Sequence, residues 1–339
     1  MRLATTGLAA ALAAAMVCAA LLETARAADP VTIRMSFTVP ITDFPSLLAE
    51  KKDLATHFDK SYQLTVTRFA GTPPMVTALA AGELDIANLA YPTLPIAIRN
   101  AGIDDLRVIS DGFEDGQPGH YSNEYMALTD GPVKKVEDLK GRVVATNAAG
   151  SGVDISMRAM LRKSGLEANR DYTIVEAPFP TMRAMLTEKK VDLVPAVLPF
   201  ALDPELRKLA HPLFTSSDAV GISQFTLWSA RKGFIEKNRA AMVDFMEDAL
   251  RIMRWYLDPA SHAQVMEICA RITKQPNPER FAWAYTAKDY YRDRNLLPNL
   301  EALQRNVDLT RDLGFIKAGL DVKKFADLSV VEEAAKRLQ

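Results

Sequence analysis

The stretch Met75-Val76-Thr77-Ala78-Leu79-Ala80-Ala81-Gly82-Glu83-Leu84-Asp85-Ile86 decides the fold of this chain. Residues 75–81 are good helix formers, Gly82 suits the left-handed turn at a helix end, and 84–89 is an apolar strand. The unit returns at a constant offset of 107 residues. Pro73, Met75, Leu79, Asp85 and Pro92 match Pro180, Met182, Leu186, Asp192 and Pro199, so Leu84-Asp85-Ile86 answers Val191-Asp192-Leu193. Any two strand–helix–strand units share an apolar pattern. A register kept through helix, strand and following loop predicts more, namely two similarly built lobes.

Outward from this unit, strand-like and helix-like segments alternate. Residues 31–39 are β-rich and stop at Pro40, and 45–58 carry Leu47, Leu48, Leu54 and Phe58 at helical spacing. Residues 62–69 alternate polar and apolar as a strand does. The second set is strand 142–146, helix 153–163 ending at Gly165, strand 172–175, helix 182–188 and strand 191–194. This order predicts an α/β fold with mostly parallel sheets flanked by helices. Strand-like segments 121–128 and 222–230 would carry the chain out to the second lobe and back, a two-strand hinge. Helices at about 237–256, 261–272, 278–288 and 300–313 would pack mainly on the first lobe. Lobe one is then 28–125 with 223–339 and lobe two is 126–222, with closure about the hinge as the natural motion.

The ends and the composition set the compartment. Arg2, an alanine-rich apolar run from about Leu8 to Leu22, and Ala25-Arg26-Ala27 have the form of a secretory signal peptide cleaved after Ala27. The run is too short and too weakly apolar for a comfortable bilayer span. The expected location is therefore the periplasm. Cys18 leaves with the leader, so Cys269, among Val265, Met266, Ile268 and Ile272, has no partner for an intramolecular disulfide and is expected to be buried and inert. Of 339 residues, 41 are basic and 42 acidic, and this balance argues against nucleic-acid binding.

In open α/β sheets ligands bind beyond the carboxyl ends of the strands. That rule selects 37–46 and its counterpart 147–152, and 91–93 with its counterpart 198–200. Asn147-Ala148-Ala149-Gly150-Ser151-Gly152 runs into a helix, where glycines allow close backbone approach and free N–H groups favour an anion. Ser151 with Asp154 also fits a capping box, a purely structural role. The candidate ligand-binding residues are Phe37, Thr38, Thr42, Phe44, Tyr91, Thr93, Asn123, Asn147, Gly150, Ser151, Gly152, Pro199, Phe200 and Trp228. Tyr91 and Phe200 are expected to wall the ligand. Gln224, Tyr125 and Trp228 line either the cleft or the hinge core.

These residues resemble a known family. Pro74-Met75-Val76-Thr77-Ala78-Leu79-Ala80-Ala81-Gly82-Glu83-Leu84-Asp85 is similar to the helix and Ala-x-Gly-x-Leu/Val-Asp block of the nitrate/sulfonate/taurine and thiamine-precursor (NMT1/THI5-like) substrate-binding proteins. Val136-Glu137-Asp138-Leu139-Lys140-Gly141-Arg142-Val143-Val144-Ala145 resembles their way into lobe two. Gly150-Ser151 resembles their helix start, and Lys190-Val191-Asp192 with Pro199 their second block. The resemblance spans about residues 30–230. It implies the type II periplasmic-binding-protein fold, a small anionic ligand and an ABC permease at the inner membrane as partner. Lys190 stands where the family usually has Gly, and Tyr91-Pro92-Thr93 replaces a commoner acidic-Pro-Pro loop, so the ligand is not inherited with the family.

The expected function is capture of a small organic anion, a sulfonate, a nitrate-like ion or a carboxylate, for an ABC uptake system. No cofactor, metal or catalytic residue is expected, and the chain is read as a monomer. His57, His120, His211 and His262 are scattered, with no H-E-x-x-H; no G-x-S-x-G and no P-loop ending occur. An enzyme on the same fold is the lesser alternative, and a periplasmic sensor subunit uses the same clamp.

Overall fold

Asp85 shows how the repeated unit works. Its carboxylate accepts Nε and Nη2 of Arg34 at 2.8 and 2.7 Å and the Arg34 amide at 2.9 Å, and its own N–H bonds the Arg34 carbonyl. Asp192 repeats this more loosely. It accepts the Val143 amide at 3.2 Å, lies 3.7 Å from Arg142 and donates its own N–H to the Val143 carbonyl. In each lobe the aspartate that follows the helix stop therefore pins the strand that opens the repeated unit, 31–37 in lobe one and 142–146 in lobe two. The stop itself is Gly82 (φ 71°) in lobe one and Lys189 (φ 57°) in lobe two, so the glycine's place falls on Lys189 rather than on Lys190 as read from the sequence, at a position where a side chain costs about 1–2 kcal/mol.

The computed structural model describes residues 29–339, so the expected signal peptide lies outside the described residues. The first lobe holds β1 (Val31–Phe37), β2 (Tyr62–Arg68), β3 (Ile86–Ala90) and β4 (Leu106–Asp115), with helices α1 (Pro45–Leu48), α2 (Pro73–Ala80) and α3 (Thr93–Arg99). The chain then builds β5 (Glu124–Leu128), β6 (Arg142–Thr146), α4 (Gly152–Lys163), β7 (Tyr172–Glu176), α5 (Met182–Thr187), β8 (Val194–Ala196), α6 (Pro204–Leu209), β9 (Ala210–Thr215) and α7 (Ser216–Val220). It returns as β10 (Ser223–Arg231), followed by α8 (Lys232–Lys237), α9 (Arg239–Tyr256), α10 (His262–Thr273), α11 (Leu300–Asp312) and α12 (Ser329–Arg337).

The first sheet runs β2-β1-β3-β10-β4, and the second lobe carries β8-β5-β9 and β6-β7. Pairing is parallel within β1–β2, β1–β3 and β6–β7, as the strand–helix order predicts. The strands at the crossings differ. β10 runs antiparallel to β3 and β4, and β5 antiparallel to β8 and β9, so the sheets are mixed rather than mostly parallel. The reason is connectivity, since a strand that returns from the other lobe enters its sheet from the opposite end. Edge strand β4 is covered where Tyr291 bridges Glu114 and Ala326 bridges Val108, which removes a free sheet edge.

Two expected helices are cut short. Residues 45–58 form only α1 and a further 3₁₀ turn, because the amides of Thr56 and His57 are taken by the Asp248 carboxylate of α9 at 2.9 Å each. Residues 278–288 make one 3₁₀ turn, Pro278–Phe281, before Tyr285 adopts φ 57°. There Asp289 accepts the Tyr285 amide at 2.8 Å, and its other oxygen accepts the Tyr290 amide. In both places a carboxylate captures the donors that a continuing helix would need. As expected, the C-terminal helices pack on the first lobe, α9 on β2, α11 on β10 and α12 on β4.

Candidate functional site

Between the lobes lies a cavity of about 50 Å³, room for a few waters or one small chemical group. Lobe one supplies Thr38, Val39, Thr42 and Asp43 from the loop after β1, Thr72 before α2, Ala90, Phe113 of β4, Phe225 and Thr226 of β10, and Tyr290. Asn147, Gly152, Val153, Phe179 and Val197 come from lobe two, and Asn123 from the crossing segment.

Four donors in this wall lack acceptors. Among the described residues nothing accepts the amides of Gly152 or Val153, the first two helical residues of the 12-residue α4. Thr38 Oγ1 and Thr226 Oγ1 are buried without a hydrogen-bond partner. Buried polar groups are normally paired, so these donors stand out in the wall, with Thr226 Oγ1 lying against Gly112 of β4. Helix-start amides also carry the positive end of the helix dipole.

Among the described residues no Lys, Arg or His lines the cavity, and Asp43 is the one carboxylate that does. Its oxygen accepts the amides of Thr38 and Val39 at 2.7 and 2.8 Å. Burial raises its pKa, while those amides and the Arg292 charge pull the other way. Phe113 stacks on Tyr290 at 4.3 Å and on Phe225 at 5.4 Å, giving an aromatic wall. The site therefore combines helix-start donors, free hydroxyls and apolar rings.

Contacts across the cleft hold it shut. Tyr290 donates to Asn123 Oδ1 at 2.5 Å and accepts the Leu198 amide at 3.1 Å, while Thr42 Oγ1 donates to the Leu198 carbonyl at 2.9 Å. The N–H and the carbonyl of one lobe-two residue are thus both held by lobe-one hydroxyls. The Tyr91 hydroxyl meets Ser156 Oγ at 3.2 Å, and Arg292 holds the Thr42 carbonyl at 2.8 Å from below. At the crossings, Asp115 accepts the Asn123 amide and Nδ2 and the Ser122 hydroxyl, and burial raises its pKa to about 6.

Of the residues singled out in the sequence, Thr38, Thr42, Asn123, Asn147 and Gly152 line the cavity. The others do not. Phe44 and Trp228 stack on each other at 5.9 Å in the lobe-one core beside Tyr256 and Phe245. Phe37 lies in register with Arg68 on the first sheet. Tyr91 and Thr93 sit one layer back, Tyr91 against Phe225 and Thr93 bonded to Thr72 Oγ1 at 2.7 Å. Gly150 turns the chain at φ 76° against Ile96. Ser151 is the α4 cap, accepting the Asp154 amide and donating to Asn147 Oδ1 at 2.7 Å. Pro199 and Phe200 line a separate outer groove. Phe113, Phe225 and Tyr290 escaped sequence reading. An irregular register around Thr226 turns Phe225 and Thr226 both onto the cavity, and Tyr290 lies just past a segment read as helix.

Outside the cavity, His57, Asp244 and Glu247 lie close enough to share a cation. Arg337 pairs with Asp244 at 2.7 Å and Arg251 with Glu247, so these carboxylates are already neutralised by guanidiniums. Cys269 is buried, and desolvation pushes its thiol up to about 12. No helix among the described residues is long and apolar enough to cross a membrane.

Comparison with known proteins gives this architecture its relatives. No curated protein matches the sequence. The alkanesulfonate-binding protein SsuA of Xanthomonas axonopodis pv. citri, solved with MOPS, superposes with a TM-score of 0.70 at 18% identity, covering 89% of this chain and 99% of that one. The periplasmic nitrate-binding protein NrtA of Synechocystis PCC 6803 superposes with 0.70 at 14% identity, covering 91% and 89%. The desulfurization enzyme DSZB does so with 0.64 at 13% identity, covering 91% and 100%. The fold is thus the two-lobed α/β fold of periplasmic binding proteins. The model of the NMT1-like family matches residues 26–270, and the chain belongs to that family.

Proposed function

We propose that this member of the NMT1-like family is the periplasmic solute-binding component of an ABC uptake system, capturing a small organic anion between its lobes for delivery to a permease. One observation carries the reading. The inter-lobe cavity has two helix-start amides and two buried hydroxyls without acceptors in its wall, a donor set suited to an acidic group. The aromatic wall of Phe113, Phe225 and Tyr290 gives that group an apolar, water-poor surround. Thr38, Thr42, Asn147 and Gly152 are the residues we assign to the ligand, with Asn123 positioned by Asp115 and Tyr290. Residues 28–125 with 223–339, and 126–222, are assigned as the two moving units, and the chain is read as a monomer.

The likeness to DSZB keeps an enzymatic reading in view. Among the described residues no His, Cys or Ser lines the cavity, and the one thiol, Cys269, is buried with a raised pKa. A nucleophile paired with a base, which acyl or sulfur chemistry requires, is therefore not supported. A thermal-shift screen over alkanesulfonates, nitrate, aromatic carboxylates and pyrimidines tests the proposal. An acid at 100 times its Kd stabilises by about 2.7 kcal/mol, a rise of several degrees. A rise only with pyrimidines or other neutral compounds refutes the anion reading. Permease and ATPase genes beside this one support delivery; a histidine kinase gene there would favour sensing.

A further inference from the structure

The inner cavity holds a head group and little more. Beside it lies a groove of about 470 Å³, and Val39 lines both. Their walls are also continuous: Phe179, in the cavity, stacks at 6.2 Å on Phe200, in the groove. Phe200 and Pro199 face Phe281 and Trp283 of the C-terminal segment, so the groove, like the cavity, is closed on two sides by different lobes.

Its charges differ from those of the cavity. Arg68 and Arg280 line it, and neither lies within 4.0 Å of a carboxylate among the described residues. Arg68 Nε donates to the Thr38 carbonyl at 3.0 Å, which anchors its guanidinium at the threshold of the inner cavity. Arg280 bonds only Gln275, at 3.4 Å. Asp203, the one carboxylate in the groove, is paired with Arg183 at 3.1 Å. The groove is apolar-walled with a net positive charge.

We propose that this groove is a second subsite of the same ligand, so that the captured molecule is an elongated diacid. One acidic group sits at the α4 start, a flat or apolar middle passes Val39 and Phe200, and a second acidic group meets Arg68 and Arg280. This rests on the anion reading of the cavity. It departs from a ligand of one small anionic group, because the 50 Å³ chamber cannot hold the middle and tail. It also gives Pro199 and Phe200 a contact with the ligand tail rather than the head.

Calorimetry with two matched pairs of probes tests it: benzoate against benzene-1,4-dicarboxylate, and pentanoate against hexanedioate. In each pair the wild-type chain should bind the diacid at least tenfold tighter. The gap should shrink at high salt, because exposed guanidiniums are screened. Arg280→Ala, whose side chain bonds Gln275 outside the cavity, should narrow the gap and leave monoacid affinity unchanged, and the double variant Arg68→Ala/Arg280→Ala should erase the gap; both side chains are exposed, so folding is not at stake. Equal affinities for monoacid and diacid, or a gap that survives in the double variant, overturn the subsite and leave the cavity reading intact. Absence of binding by all four acids, while an alkanesulfonate or nitrate still raises the melting temperature, overturns the subsite and leaves the anion reading; absence of binding by sulfonates and nitrate as well overturns both.

Discussion

Replacing Gly152 by Ala would put a methyl group where the closed site has no room. An ideal Cβ at 152 lies 2.8 Å from Cζ of Phe225 and 3.1 and 3.2 Å from its two Cε atoms, well inside the roughly 3.5–4.0 Å of a comfortable carbon contact. The ring has nowhere to swing, since Phe113 stacks on it at 5.4 Å and Tyr91 meets it at 6.0 Å. Overpacking of this kind costs about 1–3 kcal/mol. Gly152 belongs to lobe two and Phe225 to lobe one, so the cost falls on the closed arrangement and spares the separate lobes. At 1.4 kcal/mol per factor of ten, ligand affinity should fall about 5- to 150-fold. The melting temperature without ligand should stay level or rise slightly, because Ala restricts the unfolded chain more than Gly does. Calorimetry with the acid that gives the largest thermal shift, together with ligand-free melting, reads both effects. An affinity within twofold of wild type would refute the reasoning.

Other perturbations separate closure from packing. Tyr290→Phe removes the hydroxyl between Asn123 and Leu198 and leaves the buried Leu198 amide without its acceptor, a loss of about 1–3 kcal/mol that should weaken binding in calorimetry. Ser151→Ala should cost about 1 kcal/mol in a urea titration as a lost cap while changing ligand affinity little. Lys189→Gly relieves a left-handed backbone and should raise stability by about 1 kcal/mol in the same titration. Burial raises the pKa of Asp111 to about 8 and that of Asp115 to about 6, so the folded chain holds protons that the unfolded chain has released. This stability is fully present below about pH 4 and is lost as pH rises through the folded values. The urea midpoint should therefore fall from pH 5 to pH 8, with a smaller fall in Asp111→Asn; a midpoint that rises over this range contradicts the assignment.

The repeat was legible because Asp85 and Asp192 do the same job in both lobes, and a structural role repeated at fixed spacing leaves a mark in one sequence. Gly152 and Asn147 were legible for a similar reason, as a glycine-rich run into a capped helix has few other uses. Trp228 and Phe44 misled, since nothing in an aromatic's identity tells a core stack from a cleft wall. Their partners, Tyr256 and Phe245, lie on a distant helix. Tyr290 could not be found by periodicity because its segment is shaped by Asp289 capturing backbone donors, not by helical spacing. Strand β4 reads poorly because Asp111, Glu114 and Asp115 interrupt its apolar pattern, each satisfied by a partner far away in the sequence or at the crossing.

The central claim is that an acidic ligand group closes on the start of α4. Hydrogen exchange over residues 147–160, with and without the acid that most raises the melting temperature, measures it most directly. Gly152 and Val153 have no acceptor among the described residues, so the account predicts slowed exchange at these two amides on ligand addition, and loss of that protection in Gly152→Ala. Ligand-dependent protection elsewhere in the chain with unchanged exchange at Gly152 and Val153 would contradict it.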